Sequence, residues 1–133
     1  MSQIKASIIQ IDSVENLNIV TFYFNGVVLK MMSLDLSDDI QVGKKVTLAV
    51  KPSHIAIAKE FSGMVSYSNQ LKATIESCNN GKLLSSIKLL TGDVILESII
   101  TSESVLKMDL KVGDEVTAMI KASELSIVEV LDD

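Results

Sequence analysis

The sequence predicts an all-β chain built from two small five-stranded barrels, and three observations support this fold class. Residues 2–8 are echoed at residues 69–75, and residues 42–57 are echoed at residues 112–127. Apolar and polar residues alternate with a period of two through most of each copy, as in half-buried strands. Turn signals such as Asn25-Gly26 separate the alternating runs. The distance along the chain between a segment and its echo is slightly different for the two pairs. A duplicated module with one short insertion explains both echoes.

Each copy contains five strand-like runs that are rich in Val, Ile and Thr, the residues that strands prefer. In the first copy, which we call repeat one, the runs cover residues 4–9, 19–24, 27–31, 46–51 and 55–58. In repeat two they cover residues 70–77, 83–89, 94–100, 115–121 and 125–130.

A short helix is expected between the third and fourth strands of each repeat. In repeat two it covers residues 101–108, because Ser or Thr at the N-cap followed by Glu103 is a good helix start. In repeat one the equivalent is the shorter segment 33–38. Five strands with a helix between the third and fourth are typical of an OB-like β-barrel. The sequence therefore predicts tandem OB-like barrels at residues 1–60 and 64–133.

Composition excludes several function classes. The net charge is −5, all 12 basic residues are lysines, and aromatic residues make up 4% of the chain. A nucleic-acid binder normally shows a basic surface, and a base-stacking platform needs aromatic side chains. No apolar run approaches the roughly 18 to 20 residues of a membrane helix. We therefore expect neither nucleic acid nor membrane as a partner.

The apolar content, the single cysteine and the N-terminal sequence bear on assembly and on cellular location. Hydrophobic residues make up 47% of the chain, and repeats of this size have marginal cores when isolated. The excess apolar content is best assigned to cores and subunit interfaces, so oligomerisation is expected. The single cysteine, Cys78, cannot form an internal disulfide, and the N-terminus lacks a secretory apolar core. A cytoplasmic location is expected.

Signatures of catalysis are missing from the sequence. The one histidine, His54, has no cysteine cluster beside it for metal binding, and we interpret it as a surface or packing residue. The segment Gly43-Lys44-Lys45 lacks the spacing of a phosphate loop. We expect no enzymatic activity, no direct cation ligation and no organic cofactor.

Hydroxyls and lysines remain as candidate binding groups. Lys51–Ser53 and Lys121–Ser123 each end a fourth strand, Ser66–Asn69 precedes the first strand of repeat two, and Thr101 and Ser104 open the predicted helix. Helix-start N–H groups, hydroxyls and a lysine together suit a small tetrahedral oxyanion. The alternative interpretation is that Thr101 is an N-cap and that the other groups are ordinary polar residues at strand edges.

At residues 66–73, 100–105 and 110–123 the chain resembles the molbindin family, the molybdate-binding Mop or TOBE-like domains. The resemblance covers essentially all of repeat two, whereas repeat one matches mainly at residues 42–57. It implies a protein of two Mop modules, assembled as a trimer, that binds molybdate or tungstate between modules or subunits. Storage, buffering and intracellular sensing are the functions it implies.

The resemblance also implies which residues bind the oxyanion. One module would offer its loop and strand end to the Thr-x-x-Ser helix start of a facing module, and repeat one could contribute to a mixed site. Carried over to this chain, the site residues are Ser66, Ser68, Asn69, Lys121, Ala122 (through its backbone) and Ser123, facing Thr101 and Ser104, with Lys51 and Ser53 in the mixed site.

Two departures from the family pattern lead to an alternative function. Ser68 stands where the family commonly has an arginine, and Met31-Met32-Ser33 replaces the Thr-x-x-Ser motif in repeat one. Fewer or weaker sites are expected, because charge-assisted hydrogen bonds are the strong ones. The alternative is a regulatory protein-interaction module whose oxyanion site has decayed.

Overall fold

Within residues 2–131, ten strands alternate with turns, and the predicted all-β fold is confirmed. The computed structural model describes residues 2–131, so residues 1, 132 and 133, at the outer ends of the two expected modules, lie outside the described residues. Repeat one forms β1 (Ser2–Val14), β2 (Leu17–Phe24), β3 (Val27–Leu34), β4 (Lys45–Val50) and β5 (Ala56–Ala58). Repeat two forms β6 (Asn69–Asn80), β7 (Leu84–Thr91), β8 (Val94–Thr101), α1 (Ser102–Lys107), β9 (Glu115–Ile120) and β10 (Ser126–Leu131).

The alternating pattern positions the core. In β1 the side chains of Ile4, Ala6 and Ile8 are buried while their neighbours face outward, and β6 repeats this pattern. Both strands carry a β-bulge directly after the fourth buried residue, Ile8 in β1 and its equivalent Ile75 in β6. A bulge bends a strand and increases its twist, so each long first strand curls and pairs with two neighbours.

The two repeats exchange their fifth strands. The first sheet has the order β10-β4-β1-β2-β3, and the second has the order β5-β9-β6-β7-β8, with every pair antiparallel. Each sheet therefore takes four strands from one repeat and an edge strand from the other. Residues 1–60 and 64–133 remain our proposed division of the chain into modules, and the exchanged edges join those modules.

Contacts between the repeats are reciprocal, as in a two-fold dimer. The buried amide of Asn69 holds the backbone of Lys30: the Lys30 N–H donates to Asn69 Oδ1 at 2.6 Å, and Asn69 Nδ2 donates to the Lys30 carbonyl at 2.9 Å. At the equivalent place in the other half, the Glu97 N–H donates to the Ser2 hydroxyl at 2.8 Å. The chain thus contains an internal pseudo-two-fold axis.

The connection between the third and fourth strands differs between the repeats. In repeat two the expected helix is present as α1, and Val105 is its buried residue. In repeat one the expectation of a helix over residues 33–38 was wrong, because β3 runs to Leu34 and turns follow it. The connection in repeat one is shorter than the one in repeat two. Its first residue, Asp35, has a left-handed φ of 51°, which is incompatible with a right-handed helix.

The linker between the repeats is held in place. Lys59 Nζ donates to the carbonyls of Met108 and Asp109, at 3.1 and 2.7 Å, and lies 3.1 Å from a carboxylate oxygen of Asp114. A cation at the carboxyl end of a helix interacts favourably with its free carbonyls. Among residues 2–131, no helix is long and apolar enough to cross a membrane.

The hairpin turn at Gly92 gives a stability prediction. Gly92 has a φ of +60°, and a Cβ added there would collide with the side chain of Asn25, the equivalent residue of repeat one. Because Asn25 is exposed, its amide can turn away, and Gly92→Ala should lower the free energy of unfolding by only the ~1–2 kcal/mol that a left-handed alanine costs by itself. Gly26→Ala is the matched control, because Gly26 has a φ of +82° with open space around it. A clearly larger loss for Gly92→Ala than for Gly26→Ala in urea unfolding would contradict this expectation.

Candidate oxyanion-binding site

Two short turns meet at the pseudo-two-fold axis. A 3₁₀ turn at Pro52–His54 follows β4, and its equivalent at Ala122–Glu124 follows β9. The first turn packs against β8 and the second packs against β3. Lys51 and Lys121 take the extended conformation at the N-caps of these turns. The two lysine–serine segments predicted from the sequence are therefore positioned by contacts between the repeats.

His54 and Glu124, which occupy equivalent positions in the repeats, contact each other across the axis. His54 Nδ1 lies 2.8 Å from Glu124 Oε2, and about a third of each side chain is exposed. Because the equivalent residues differ in charge type, the axis carries a complementary pair. The sequence interpretation of His54 as a surface or packing residue missed this pair.

A cleft of about 330 Å³ opens beside the His54–Glu124 pair, and we call it the axial cleft. Its polar walls come from both repeats and from the loop before β6, and β8 supplies an apolar wall. The lining residues are Ser53, His54, Ile55, Ala56, Tyr67, Ile99, Ile100, Lys121 and Glu124. The ammonium of Lys121 and the hydroxyls of Ser53 and Tyr67 are hydrogen-bond donors suited to a small oxyanion.

The helix-start residues Thr101 and Ser104 do not line the axial cleft. Thr101 Oγ1 and Ser104 Oγ are 2.9 Å apart, and the Ser104 N–H donates to Thr101 Oγ1 at 3.2 Å. Thr101 is therefore the N-cap of α1, as the alternative interpretation proposed. It lines a cleft of about 630 Å³ together with the exposed side chains of Leu84 and Leu106. One chain alone does not place Thr101 in the axial cleft.

The loop before β6 separates into structural and solvent-facing residues. Ser66 and Ser68 are exposed, whereas Asn69 is fully buried and uses its amide on the Lys30 backbone. Tyr67, which the sequence interpretation did not select, lines the axial cleft. No local sequence signal marks Tyr67, because residues 66–68 form a loop that lacks the regular alternation of a strand.

The other candidate residues surround the turns. Ser53 and Lys121 line the axial cleft, whereas Lys51 and Ser123 are exposed and Ala122 is half-buried. Of the residues predicted from the sequence, the axial cleft thus brings together one hydroxyl and one lysine. The structure adds His54, Tyr67 and Glu124 to them.

Titratable groups outside the cleft offer no reactive centre. Burial, and then the charge of Asp114, raises the pKa of the Cys78 thiol, which keeps it protonated and unreactive. A backbone hydrogen bond from Lys111 and a side-chain hydrogen bond from Lys59 lower the pKa of Asp114. Within residues 2–131, no group of three His, Cys, Asp or Glu side chains could hold a metal ion.

Comparison with known proteins places these features in a family context. Residues 66–127 match the TOBE domain model. The molybdate/tungstate import ATP-binding protein WtpC of Pyrococcus horikoshii is 31% identical over 110 residues, covering 83% of this chain and 32% of the relative. The chain thus spans about a third of the length of that relative.

Two solved structures are also similar. The cytoplasmic molybdate-binding protein ModG, with molybdate bound, superposes with a TM-score of 0.89 at 24% identity, covering 94% of this chain and 93% of ModG. A molybdate-binding protein from Sporomusa ovata is 36% identical and covers 53% of this chain and 100% of its own length, with a TM-score of 0.47. The likeness to ModG confirms the tandem arrangement of the two β modules.

Proposed function

We propose that this chain binds molybdate or tungstate as a non-enzymatic oxyanion-binding protein, since its residues 66–127 match the TOBE domain model. The observation that carries this proposal is the axial cleft, which Lys121, Ser53 and Tyr67 line together. ModG and the protein from Sporomusa ovata are molybdate-binding proteins. WtpC serves molybdate and tungstate import.

The composition of the cleft suits a small dianion. Lys121 supplies a compact charge, and hydroxyl groups donate neutral hydrogen bonds whose geometry adapts to a tetrahedral ligand. The apolar wall of Ile99 and Ile100 lowers the local dielectric, which strengthens each charge-assisted bond. With Ser68 in place of an arginine, Lys121 is the one permanently charged cation that lines the cleft.

We further propose that the site is completed by a second copy of the chain in a homotrimer. The Thr101 cleft carries three leucines with large exposed fractions, Leu83 at 81%, Leu84 at 59% and Leu106 at 82%. Exposed apolar clusters of this kind mark interaction sites. A second chain that covers them would bring its own Ser66, Ser68, Lys121 and Ser123 towards Thr101 and Ser104.

The mixed site of Lys51 and Ser53 also belongs to this proposal. The turn that carries both residues packs on β8, which leads directly to Thr101. Repeat one lacks a helix after β3, so the second turn faces no helix start within its own chain. We therefore propose fewer oxyanion sites than modules, used for storage, buffering or sensing of the oxyanion in the cytoplasm.

Elemental analysis and native mass of the purified protein test the proposal together. We expect bound molybdenum or tungsten in a species of three chains. A monomer with no bound metal after incubation with excess molybdate would contradict both the ligand and the assembly. A metal-free protein in stable complex with another protein would instead favour the regulatory interaction module.

A further inference from the structure

Lys121 is the one permanent cation among the residues that line the axial cleft, and His54 belongs to the same lining. Its Nδ1 is paired with Glu124 at 2.8 Å, and both side chains line the cleft with Lys121. We propose that His54 is the conditional second cation of this cleft, and that its protonation controls the affinity for a doubly charged oxyanion. This inference rests on the proposed function and goes beyond it, since it assigns a regulatory role to a residue of the site.

Because Glu124 contacts Nδ1 of His54, Nε2 is the ring nitrogen that is left for a ligand in either protonation state. An imidazole that donates its Nδ1–H to a carboxylate has Nε2 left for another partner. In the neutral ring Nε2 is an acceptor, which repels an oxyanion. In the protonated ring Nε2–H is a donor that carries charge, and such bonds are about twice as strong as neutral ones.

The net charge of the residues that line the cleft also favours oxyanion binding when His54 is protonated. With neutral His54, the positive charge of Lys121 is cancelled by the negative charge of Glu124. Protonation of His54 leaves the cleft with one net positive charge, which favours an anion. Proton binding and oxyanion binding should therefore be coupled and reciprocal.

Among the described residues, Glu124 is the one carboxylate that lines the cleft beside His54. The second turn supplies Glu124 and Lys121, and the loop before β6 supplies Tyr67. Strand β8 lines the cleft with two isoleucines, and its own carboxylate, Glu97, accepts a hydrogen bond from the Ser86 hydroxyl. Lys51, at the start of the first turn, is exposed.

Titration calorimetry with molybdate at several pH values tests the inference on the full chain. We expect the native affinity to be about tenfold higher at about pH 6 than at about pH 8, because a protonated imidazole adds a charge-assisted hydrogen bond to the oxyanion. His54→Gln should bind weakly at every pH, with a change of less than about twofold over this range. Lys111→Ala, at an exposed lysine paired with Asp109, is the control and should keep the native pH profile.

Proton uptake separates a charge role from a structural one. Titrations in buffers of different ionisation enthalpy should show that the native chain takes up protons on binding near pH 7 and that His54→Gln takes up none. A flat native pH profile without proton uptake would overturn the role of His54 while leaving oxyanion binding intact. No binding at any pH would overturn the proposed function and this inference with it.

Discussion

Replacement of Lys121 by alanine should weaken molybdate binding by about tenfold or more, because a hydrogen bond to a charged group contributes ~1.5–3 kcal/mol and each 1.4 kcal/mol is tenfold. Lys121 is exposed at the N-cap of a 3₁₀ turn, and its side chain makes no cap hydrogen bond. The substitution should therefore leave the folded chain intact. Titration calorimetry measures the affinity, and thermal unfolding checks the fold.

Lys111→Ala is again the matched control, because Lys111 is an exposed lysine of the same repeat that pairs with Asp109 and does not line the axial cleft. It should bind molybdate with native affinity. If Lys121→Ala retained native affinity in a folded chain, the oxyanion would have to bind elsewhere in the protein.

Asn69→Ala should reduce the stability of the fold more than it reduces the affinity for molybdate. The amide of Asn69 is fully buried and satisfies both the N–H and the carbonyl of Lys30. Removing it leaves two backbone groups without their partner at the contact between the repeats, and each unsatisfied buried group costs ~1–3 kcal/mol. We expect the free energy of unfolding to fall by about 2–4 kcal/mol in urea titrations.

Ser68→Ala provides the comparison for Asn69→Ala, since Ser68 is the adjacent residue and is exposed. Its unfolding free energy should change by less than about 0.5 kcal/mol, as expected for a surface substitution. A variant Asn69→Ala that unfolds like the native chain but no longer binds molybdate would show that the amide serves the ligand, as the family resemblance implies.

Much of the fold could be predicted from the sequence, because the physical signals were local. Apolar–polar alternation, Val, Ile and Thr content and turn signals located the ten strands of residues 2–131, and Thr101 with Glu103 located α1. The exchange of β5 and β10 could not be predicted in this way. Which sheet a three-residue strand such as Ala56–Ala58 joins depends on packing between the repeats, and periodicity carries no information about it.

The site was harder to predict, because it also depends on packing between the repeats. The resemblance directed attention to Ser53 and Lys121, which do line the axial cleft. It could not show that His54 and Glu124 contact each other, because that contact exists only when equivalent positions of two repeats meet on an axis. Asn69 was selected as a ligand residue, and its contact with Lys30 is a long-range one that the local sequence does not encode.

Titration calorimetry of the native protein with molybdate decides whether this chain binds a molybdate-type oxyanion. We expect a saturable heat with molybdate or tungstate and no comparable heat with sulfate at the same concentration. No molybdate heat at millimolar ligand, from protein shown to be folded and free of bound metal, would contradict it.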